Sequence, residues 1–382
     1  MTAESHPHIA IACGGTGGHL FPGVAVGEAV LALGGTVTLL VSAKEIDQRA
    51  VRGIRDMAVA TLPAVGLQGR NYLRFARGLW ASRRESIRVF RTALPQAVLA
   101  MGGFTSAGPI LAGRAVGART CLHESNTIPG HANRWLAPWV DACCVGFPGA
   151  ARRLRNRESH HTGTPVRSQF ETVDPEGCRT ALGLDPRRPV VAVMGGSQGA
   201  SGLNSAFVAA LPALLALRPE LQFVHLTGER DFESVRAAYA SANARAWVRP
   251  FCAEMEMVLG AASVAVARSG ASTLAEFAAM GVPSVLVPLP TAVDNHQFHN
   301  AAAFVGSGAA VLLEQGKAIP EAIAGAVLPA IDSPEIRATA SAAASAWHRP
   351  QAAMDIARRV VALAAGRGSR HPSPRPGAAP VA

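Results

Sequence analysis

The chain has 382 residues, with 36 lysines and arginines against 26 aspartates and glutamates, a formal charge of +10, and 49% apolar residues. This length suits two domains of moderate size rather than one α/β unit, and the apolar share excludes long continuous disorder except at the ends. The positive balance points to anionic partners: nucleotide phosphates, anionic lipid or nucleic acid.

At the start, Glu4 but no basic run precedes the first apolar stretch, Ile9 to Cys13, which is too short for a signal peptide. No apolar run reaches the roughly 18–20 residues that cross a bilayer, so any membrane contact is expected to be peripheral. The six cysteines, Cys13, Cys121, Cys143, Cys144, Cys178 and Cys252, lie mostly within apolar runs without metal-type spacing. They read as reduced core residues of a reducing compartment.

Short β-branched or apolar runs alternate with longer amphipathic ones, which predicts βαβ units and mainly parallel sheets, an α/β fold. In the first half, strands are expected at residues 8–13, 36–41, 58–62, 97–100, 119–122 and 141–145. The first runs into Gly14-Gly15-Thr16-Gly17-Gly18-His19. Backbone N–H groups and a helix start favour an anion there, although the loop is neither the dinucleotide fingerprint nor a P-loop. A plain tight turn is the alternative, but it leaves a titratable imidazole, His19, unexplained where cleft chemistry would occur.

Residues 67–91 carry Arg70, Arg74, Arg77, Arg83, Arg84, Arg88 and Arg91 against Glu85 alone, interleaved with Leu73, Phe75, Leu79, Trp80, Ile87 and Phe90. A basic helix with apolar and aromatic residues suits an anionic membrane surface. A helix with its apolar side in the core is the competing reading. Nucleic acid is not expected, because no recognised binding motif accompanies the patch. The strand at 97–100 enters Met101-Gly102-Gly103-Phe104-Thr105-Ser106-Ala107-Gly108-Pro109, a glycine turn that is either structural or a cradle for a second anionic ligand. His123-Glu124-Ser125-Asn126 follows the strand at 119–122, where open α/β sheets receive ligands.

Gly163-Thr164-Pro165 interrupts the pattern, and the domain boundary is expected near residues 162–168. The second half repeats the opening: a strand at 190–194 enters Gly195-Gly196-Ser197-Gln198-Gly199-Ala200. Further strands are expected at 222–226, 245–248, 264–267, 284–287 and 310–313. The most informative segment is Arg268-Ser269-Gly270-Ala271-Ser272-Thr273-Leu274-Ala275-Glu276, followed by Gly281-Val282-Pro283 and Asp294-Asn295-His296-Gln297. Small residues permit close backbone approach, and the Ser272 and Thr273 hydroxyls sit at a helix start, where they cap it or meet phosphate. Glu276, one turn on, suits two vicinal ribose hydroxyls. The run at 352–364 is expected to cross back to the first domain, and residues 366–382, rich in Gly, Pro, Ser and Arg, to be a disordered tail.

In this order GGTGGH, MGGFTSAGP, HESN, GTPVR, GGSQGA, RSGASTLAE and DNHQ with the following Asn300-Ala301 resemble the MurG family of glycosyltransferases (family 28), over roughly residues 8–345. The resemblance implies a GT-B fold, two Rossmann-like domains facing across a cleft. Residues 1–165 would face acceptor and membrane, residues 166–345 would bind the UDP-sugar, residues 346–365 would return to the first domain, and residues 366–382 would form the tail. It also implies transfer of N-acetylglucosamine from UDP-N-acetylglucosamine to undecaprenyl-diphosphoryl-N-acetylmuramyl-pentapeptide in peptidoglycan synthesis, at the cytoplasmic face of the cell membrane.

Carried over by motif, the donor contacts would be Thr16, Gly17, Gly18, Asn126, Arg167, Ser197, Ala271, Ser272, Thr273, Leu274, Ala275, Glu276 and Gln297, with Cys252 near the uracil. The family's membrane patch would be Leu73, Phe75, Arg77, Leu79, Trp80 and Arg84. Two departures stand out: Thr164 where Asn is common before Pro-Val-Arg, and His296 where some members carry glutamine. No Asp-x-Asp pair offers a metal site and no cofactor is implied, so diphosphate charge would be met by helix N-termini, Ser197 and Arg167. An inverting displacement needs a base, with His19 the first choice and Glu124 the second. The rival readings are a UDP-N-acetylglucosamine 2-epimerase, a non-catalytic module that recruits a lipid-linked sugar, and a transferase for another acceptor.

Overall fold

The computed structural model describes residues 6–63, 71–170, 173–196 and 199–366. The first seven strands are β1 (His8–Ala12), β2 (Thr36–Ser42), β3 (Ala58–Leu62), β4 (Ala97–Ala100), β5 (Arg119–Glu124), β6 (Ala142–Val145) and β7 (Ser159–His161). They form one parallel sheet in the order β3-β2-β1-β4-β5-β6-β7. The second sheet, also parallel, holds β8 (Val190–Met194), β9 (Gln222–Leu226), β10 (Arg245–Arg249), β11 (Val264–Ala267), β12 (Ser284–Leu286) and β13 (Ala310–Leu312), ordered β10-β9-β8-β11-β12-β13. The central strands are continuous apolar runs because helices cover both faces of a parallel sheet. Val190 to Met194, for instance, is buried throughout.

The first lobe carries helices α1 (Gly17–Ala32), α2 (Glu45–Val51), α3 (Tyr72–Thr92), α4 (Ala107–Ala115), α5 (His131–Leu136) and α6 (Pro148–Ala151). The second carries α7 (Pro175–Ala181), α8 (Ser201–Leu217), α9 (Phe232–Ser241), α10 (Met255–Ala261), α11 (Ala271–Met280), α12 (His296–Val305), α13 (Pro320–Asp332) and α14 (Pro334–Trp347). The last helix, α15 (Ala352–Ala365), inserts Ile356, Ala357, Val360 and Ala364 beside Ile9, Ile11 and Leu99 of the first sheet. Phe90 of α3 and Ile110 of α4 cover the opposite face of that sheet. In the second lobe Leu203, Phe207 and Leu214 of α8 pack on one face, and Leu274, Phe277 and Phe304 on the other.

Each sheet has the doubly wound order in which the first strand of the lobe is flanked by its second and fourth. The order of strand addition reverses beside β1 in one lobe and beside β8 in the other, and such switch points open a crevice at the strands' carboxyl ends. The turns after β1 and β4 therefore lie side by side, as do those after β8 and β11. Two backbone bonds mark the adjacency: Met101 N–H to Ala12 O at 2.8 Å, and Arg268 N–H to Met194 O at 3.3 Å.

All twelve expected strands are present within two residues at either end. A thirteenth, β7, is a Ser-His-His edge strand with no apolar run to signal it. β5 runs two residues further than expected and so carries His123 and Glu124 within the sheet. The expected disordered tail lies outside the described residues except for Gly366.

Candidate active site

The turn from β1 to α1 is clamped by its surroundings. A Cβ on Gly14 would come within 2.3 Å of Ser42 N, so only glycine fits. The Gly15 amide donates to Asp47 Oδ2 at 2.6 Å, the Gly15 carbonyl accepts from Lys44 Nζ at 2.9 Å, and the Gly14 carbonyl accepts from Thr105 Oγ1 at 2.6 Å. Thr16 is the extended N-cap of α1, and its hydroxyl makes no cap bond. Thr16, Gly17 and Gly18 thus open the helix with uncapped amides.

His19 is the third residue of α1, and its ring lies on the backbone of the turn after β4. Gly102 (φ 105°) and Gly103 (φ 74°) form this bed; a Cβ on either would approach the ring to 3.0 and 2.9 Å. The third glycine turn therefore supports His19 directly. Its Nδ1 is buried on this bed, beside the Met101 backbone. Burial holds the imidazole below its ordinary pKa, with the Glu124 carboxylate pulling the other way, so the ring is neutral near pH 7.

Glu124, the second choice of base, is buried at the end of β5. Its Oε1 accepts from Asn126 N at 2.8 Å and Asn126 Nδ2 at 3.0 Å, and its Oε2 from Gly130 N at 2.8 Å and Asn133 Nδ2 at 2.9 Å. The carboxylate thus has its acceptor positions engaged by four donors, which organise the loop from Asn126 to Asn133. His123 joins Gly163 O at 2.9 Å through Nε2, and burial pushes its pKa down to about 4. It ties β5 to the interlobe connection.

In the second lobe, Gly195 and Gly196 open the turn after β8, while Ser197 and Gln198 lie outside the described residues. After β11, buried Arg268 donates to Val287 O, Pro288 O and Gln315 Oε1 and so staples the turn. Gly270 is the N-cap of α11, and no side chain caps the amides of Ala271, Ser272 and Thr273. Such a helix start attracts a phosphate. Glu276 stands about one turn further along. Burial pushes its carboxyl up to about 7, with the Arg167 guanidinium opposing. Arg167 itself stacks on Phe21 of the first lobe (4.4 Å) and on Phe170 (5.2 Å).

Ala271 and Leu274 are buried in the core of the second lobe, so Leu274 offers no side chain to the cleft. Ala275 is half-buried beside them. Gln297 Oε1 accepts from Leu289 N at 2.9 Å, and its carbonyl from Ser269 Oγ at 2.7 Å. Cys252, after β10, is buried with its thiol pushed up to about 11.

The lobes touch at defined points. Ser272 Oγ donates to Gly18 O at 3.0 Å. Asn300 of α12 bonds Asn126 and Thr127. Arg134 pairs with Asp294, which is left-handed (φ 51°) together with Asn295 (φ 51°). Thr16, Gly17, Gly18, His19, Asn126, Ser272 and Thr273 accordingly border one cleft. A cavity of about 280 Å³ lies behind α11, between Leu274 and Ala278 and the connection Gly163–Thr164, beside the hinge and away from His19.

On the outer side of the first lobe, α3 exposes Leu73 (76%), Trp80 (61%), Arg77 and Arg84, with Phe75 and Leu79 half-buried. Arg84 lies 5.5 Å over the Trp80 ring. Ser82, Ser86 and Phe90 face inward. Residues 64–70, including Leu67 and Arg70 of the basic run, lie outside the described residues. Among the described residues no helix is long and apolar enough to cross a membrane. Sequence reasoning missed Asp47 and Lys44, whose link to Gly15 is spatial only. It quoted Asn300 within a motif without assigning it a task.

Comparisons with known proteins agree with this geometry. The model of the glycosyltransferase family 28 N-terminal domain matches residues 9–145, and that of the C-terminal domain residues 190–359. The UDP-N-acetylglucosamine–N-acetylmuramyl-(pentapeptide) pyrophosphoryl-undecaprenol N-acetylglucosamine transferase of Acidithiobacillus ferrooxidans is 38% identical, over 94% of this chain and 98% of its own. The protein of the same description from an Anaeromyxobacter species is 35% identical, over 97% of each. The crystal structure of Acinetobacter baumannii MurG aligns with a TM-score of 0.71 at 25% identity, over 93% of this chain and 99% of that one. A Listeria monocytogenes structure described as a UDP-N-acetylglucosamine 2-epimerase aligns at 0.67, over 94% of this chain and 96% of that one, but with 16% identity it shares the fold alone.

Proposed function

Because this chain belongs to glycosyltransferase family 28, we propose that it transfers N-acetylglucosamine from UDP-N-acetylglucosamine to undecaprenyl-diphosphoryl-N-acetylmuramyl-pentapeptide, a step of peptidoglycan synthesis. The observation that carries the reading is the Ser272–Gly18 contact. It sets the uncapped start of α11 against the uncapped start of α1, with His19 on the wall between them. An epimerase is disfavoured, since relatives at 35–38% identity are described as transferases.

In this reading the donor diphosphate lies at the start of α11, met by the amides of Ala271, Ser272 and Thr273 and by Arg167. Ser197 is a further candidate at the turn after β8. Glu276 accepts the ribose hydroxyls, Cys252 borders the uracil, and Asn126 and Gln297 orient the sugar. The acceptor hydroxyl attacks the anomeric carbon from the first-lobe side, and UDP departs from the opposite face with inversion. His19, neutral and on the wall of the cleft, takes the acceptor proton as the carbon–oxygen bond forms. Glu124 keeps Asn126 in place.

The outer face of α3, with Leu73, Trp80, Arg77 and Arg84, rests on anionic lipid at the cytoplasmic face of the membrane, where the acceptor's lipid is embedded. The test is UDP release from UDP-N-acetylglucosamine with and without a lipid-diphosphate N-acetylmuramyl-peptide analogue, in the presence of a chelator. Release that depends on acceptor is expected. Release from donor alone, with epimerised sugar as product, would overturn the assignment.

A further inference from the structure

We propose that Asn300 is a positioning residue for transfer: its carboxamide clasps the two lobes and holds Asn126 in the cleft. The inference rests on the transfer reaction proposed above, and its evidence is the geometry of one buried side chain. Asn300 lies on α12 and is fully buried. Its Oδ1 accepts from Thr127 N at 2.9 Å and Thr127 Oγ1 at 2.8 Å, while its Nδ2 donates to Asn126 Oδ1 at 3.0 Å and Ser269 O at 3.2 Å.

A carboxamide has two donor hydrogens and two acceptor lone pairs, and all are engaged. Three of the four bonds cross to the first lobe. A residue that merely packed the second lobe would need only the Ser269 contact. Burying an amide is costly unless every group is satisfied, so this arrangement favours one relative position of the lobes and penalises partial separation.

The bonds also form a chain between groups given a task above. Glu124 holds Asn126 N and Nδ2; Asn126 Oδ1 meets Asn300; Asn300 reaches Ser269; and Ser269 Oγ bonds the Gln297 carbonyl. Asn126 and Gln297, one from each lobe, are thereby fixed against each other through Asn300. Opening of the lobes would break three bonds at once and release Asn126 from its second-lobe anchor.

The experiment compares wild type, Asn300→Ala, Thr127→Val and the double variant as full chains. It measures kcat with the lipid-linked acceptor analogue, UDP affinity by calorimetry, Tm, and the radius of gyration of the free proteins by X-ray scattering. For Asn300→Ala we expect kcat to fall about 100-fold, the scale of a misplacement of about 1 Å, with UDP affinity changed by less than about threefold and a larger radius of gyration. Thr127→Val, which removes one hydroxyl from a half-buried loop, should lower kcat by roughly 3- to 10-fold. The double variant should be no worse than Asn300→Ala, because both act on one bond set.

Unchanged scattering with kcat within threefold of wild type overturns the proposal. So does a joint fall of kcat, UDP affinity and Tm with unchanged scattering, the mark of a residue that only stabilises the second lobe. If Asn300→Ala does not fold, Thr127→Val decides by the same criteria. Wild type that failed to bind UDP would sink the transfer reading instead, and scattering of the free proteins would still judge the clasp.

Discussion

The Ser272 hydroxyl donates to the carbonyl of Gly18 because Pro22 cannot. In an α-helix the Gly18 carbonyl would accept from the amide of residue 22, and proline has no N–H. The proline inside α1 thus leaves an acceptor at the first-lobe glycine turn, and the second lobe fills it from the start of α11. Replacing Ser272 by alanine should raise the donor KM by roughly 3- to 10-fold, the worth of one net hydrogen bond of about 1 kcal/mol, and leave Tm nearly unchanged. Steady-state kinetics and a thermal melt check both. An unaltered KM would mean that this contact does not contribute to the closed cleft.

His19→Ala should reduce kcat by about 10²- to 10⁴-fold if the imidazole is the base. Burial keeps the ring below its ordinary value, so the acid limb of the wild-type kcat profile should fall below about pH 6.5, with activity lost as pH drops and the ring protonates. The variant should lack that limb. A loss under tenfold in folded protein would assign the proton to another acceptor.

Glu124 gives the contrasting outcome. In Glu124→Gln two of the four bonded donors face an –NH₂ in place of an oxygen. We expect a stability loss of about 1–3 kcal/mol, visible in denaturant unfolding, and an activity loss that accompanies it. The acid limb of the pH profile should stay where it is in wild type. Its disappearance would restore Glu124 as a proton acceptor.

These contrasts also mark what the sequence could convey. The strands were legible because a parallel sheet covered on both faces needs uninterrupted apolar runs, as at Val190–Met194. β7 was not, since an edge strand of Ser-His-His carries no such run. Glycine turns at the ends of β1, β4, β8 and β11 were visible as motifs, but that Gly102 and Gly103 are the bed for His19 is a tertiary fact. Likewise the spacing of Glu124 and Asn126 suggested chemistry for both, whereas the four donors gathered on the Glu124 carboxylate are visible only in the folded chain. Asp47 carries no local signal at all, because its partner Gly15 is 32 residues away.

Glu276 supplies a pH test independent of turnover. Its carboxyl is raised from 4.5 to about 7 in the folded protein, burial being the larger cause. If the ionised form is the one that accepts two ribose hydroxyls, affinity for UDP should rise with pH through about 7, and Glu276→Gln should flatten that dependence. Stability runs the other way. A raised folded-state value contributes stability that is present below pH 4.5 and lost as pH rises through about 7. The Gln variant should therefore gain on wild type in thermal melts above pH 7 and not below pH 4.5. Calorimetric titration of UDP at several pH values checks the first expectation, and a pH-independent wild-type affinity would remove Glu276 from the ribose site.

The membrane reading turns on α3, whose outer face pairs exposed Trp80 with Arg84 and places Leu73 and Arg77 alongside. Each cation near an anionic surface contributes about 1 kcal/mol, so Arg77→Gln with Arg84→Gln should weaken binding to phosphatidylglycerol vesicles by roughly 30-fold. Salt should weaken wild type more than the variant, since exposed charges are screened within about 10 Å at 0.1 M ionic strength. Turnover of a water-soluble acceptor analogue should be unaffected in the double variant, because α3 covers the sheet face opposite α1 and α15 and takes no part in the cleft. Vesicle sedimentation and the soluble assay, run on the same preparations, separate surface docking from catalysis. Equal vesicle binding by both proteins would remove Arg77 and Arg84 from the attachment surface.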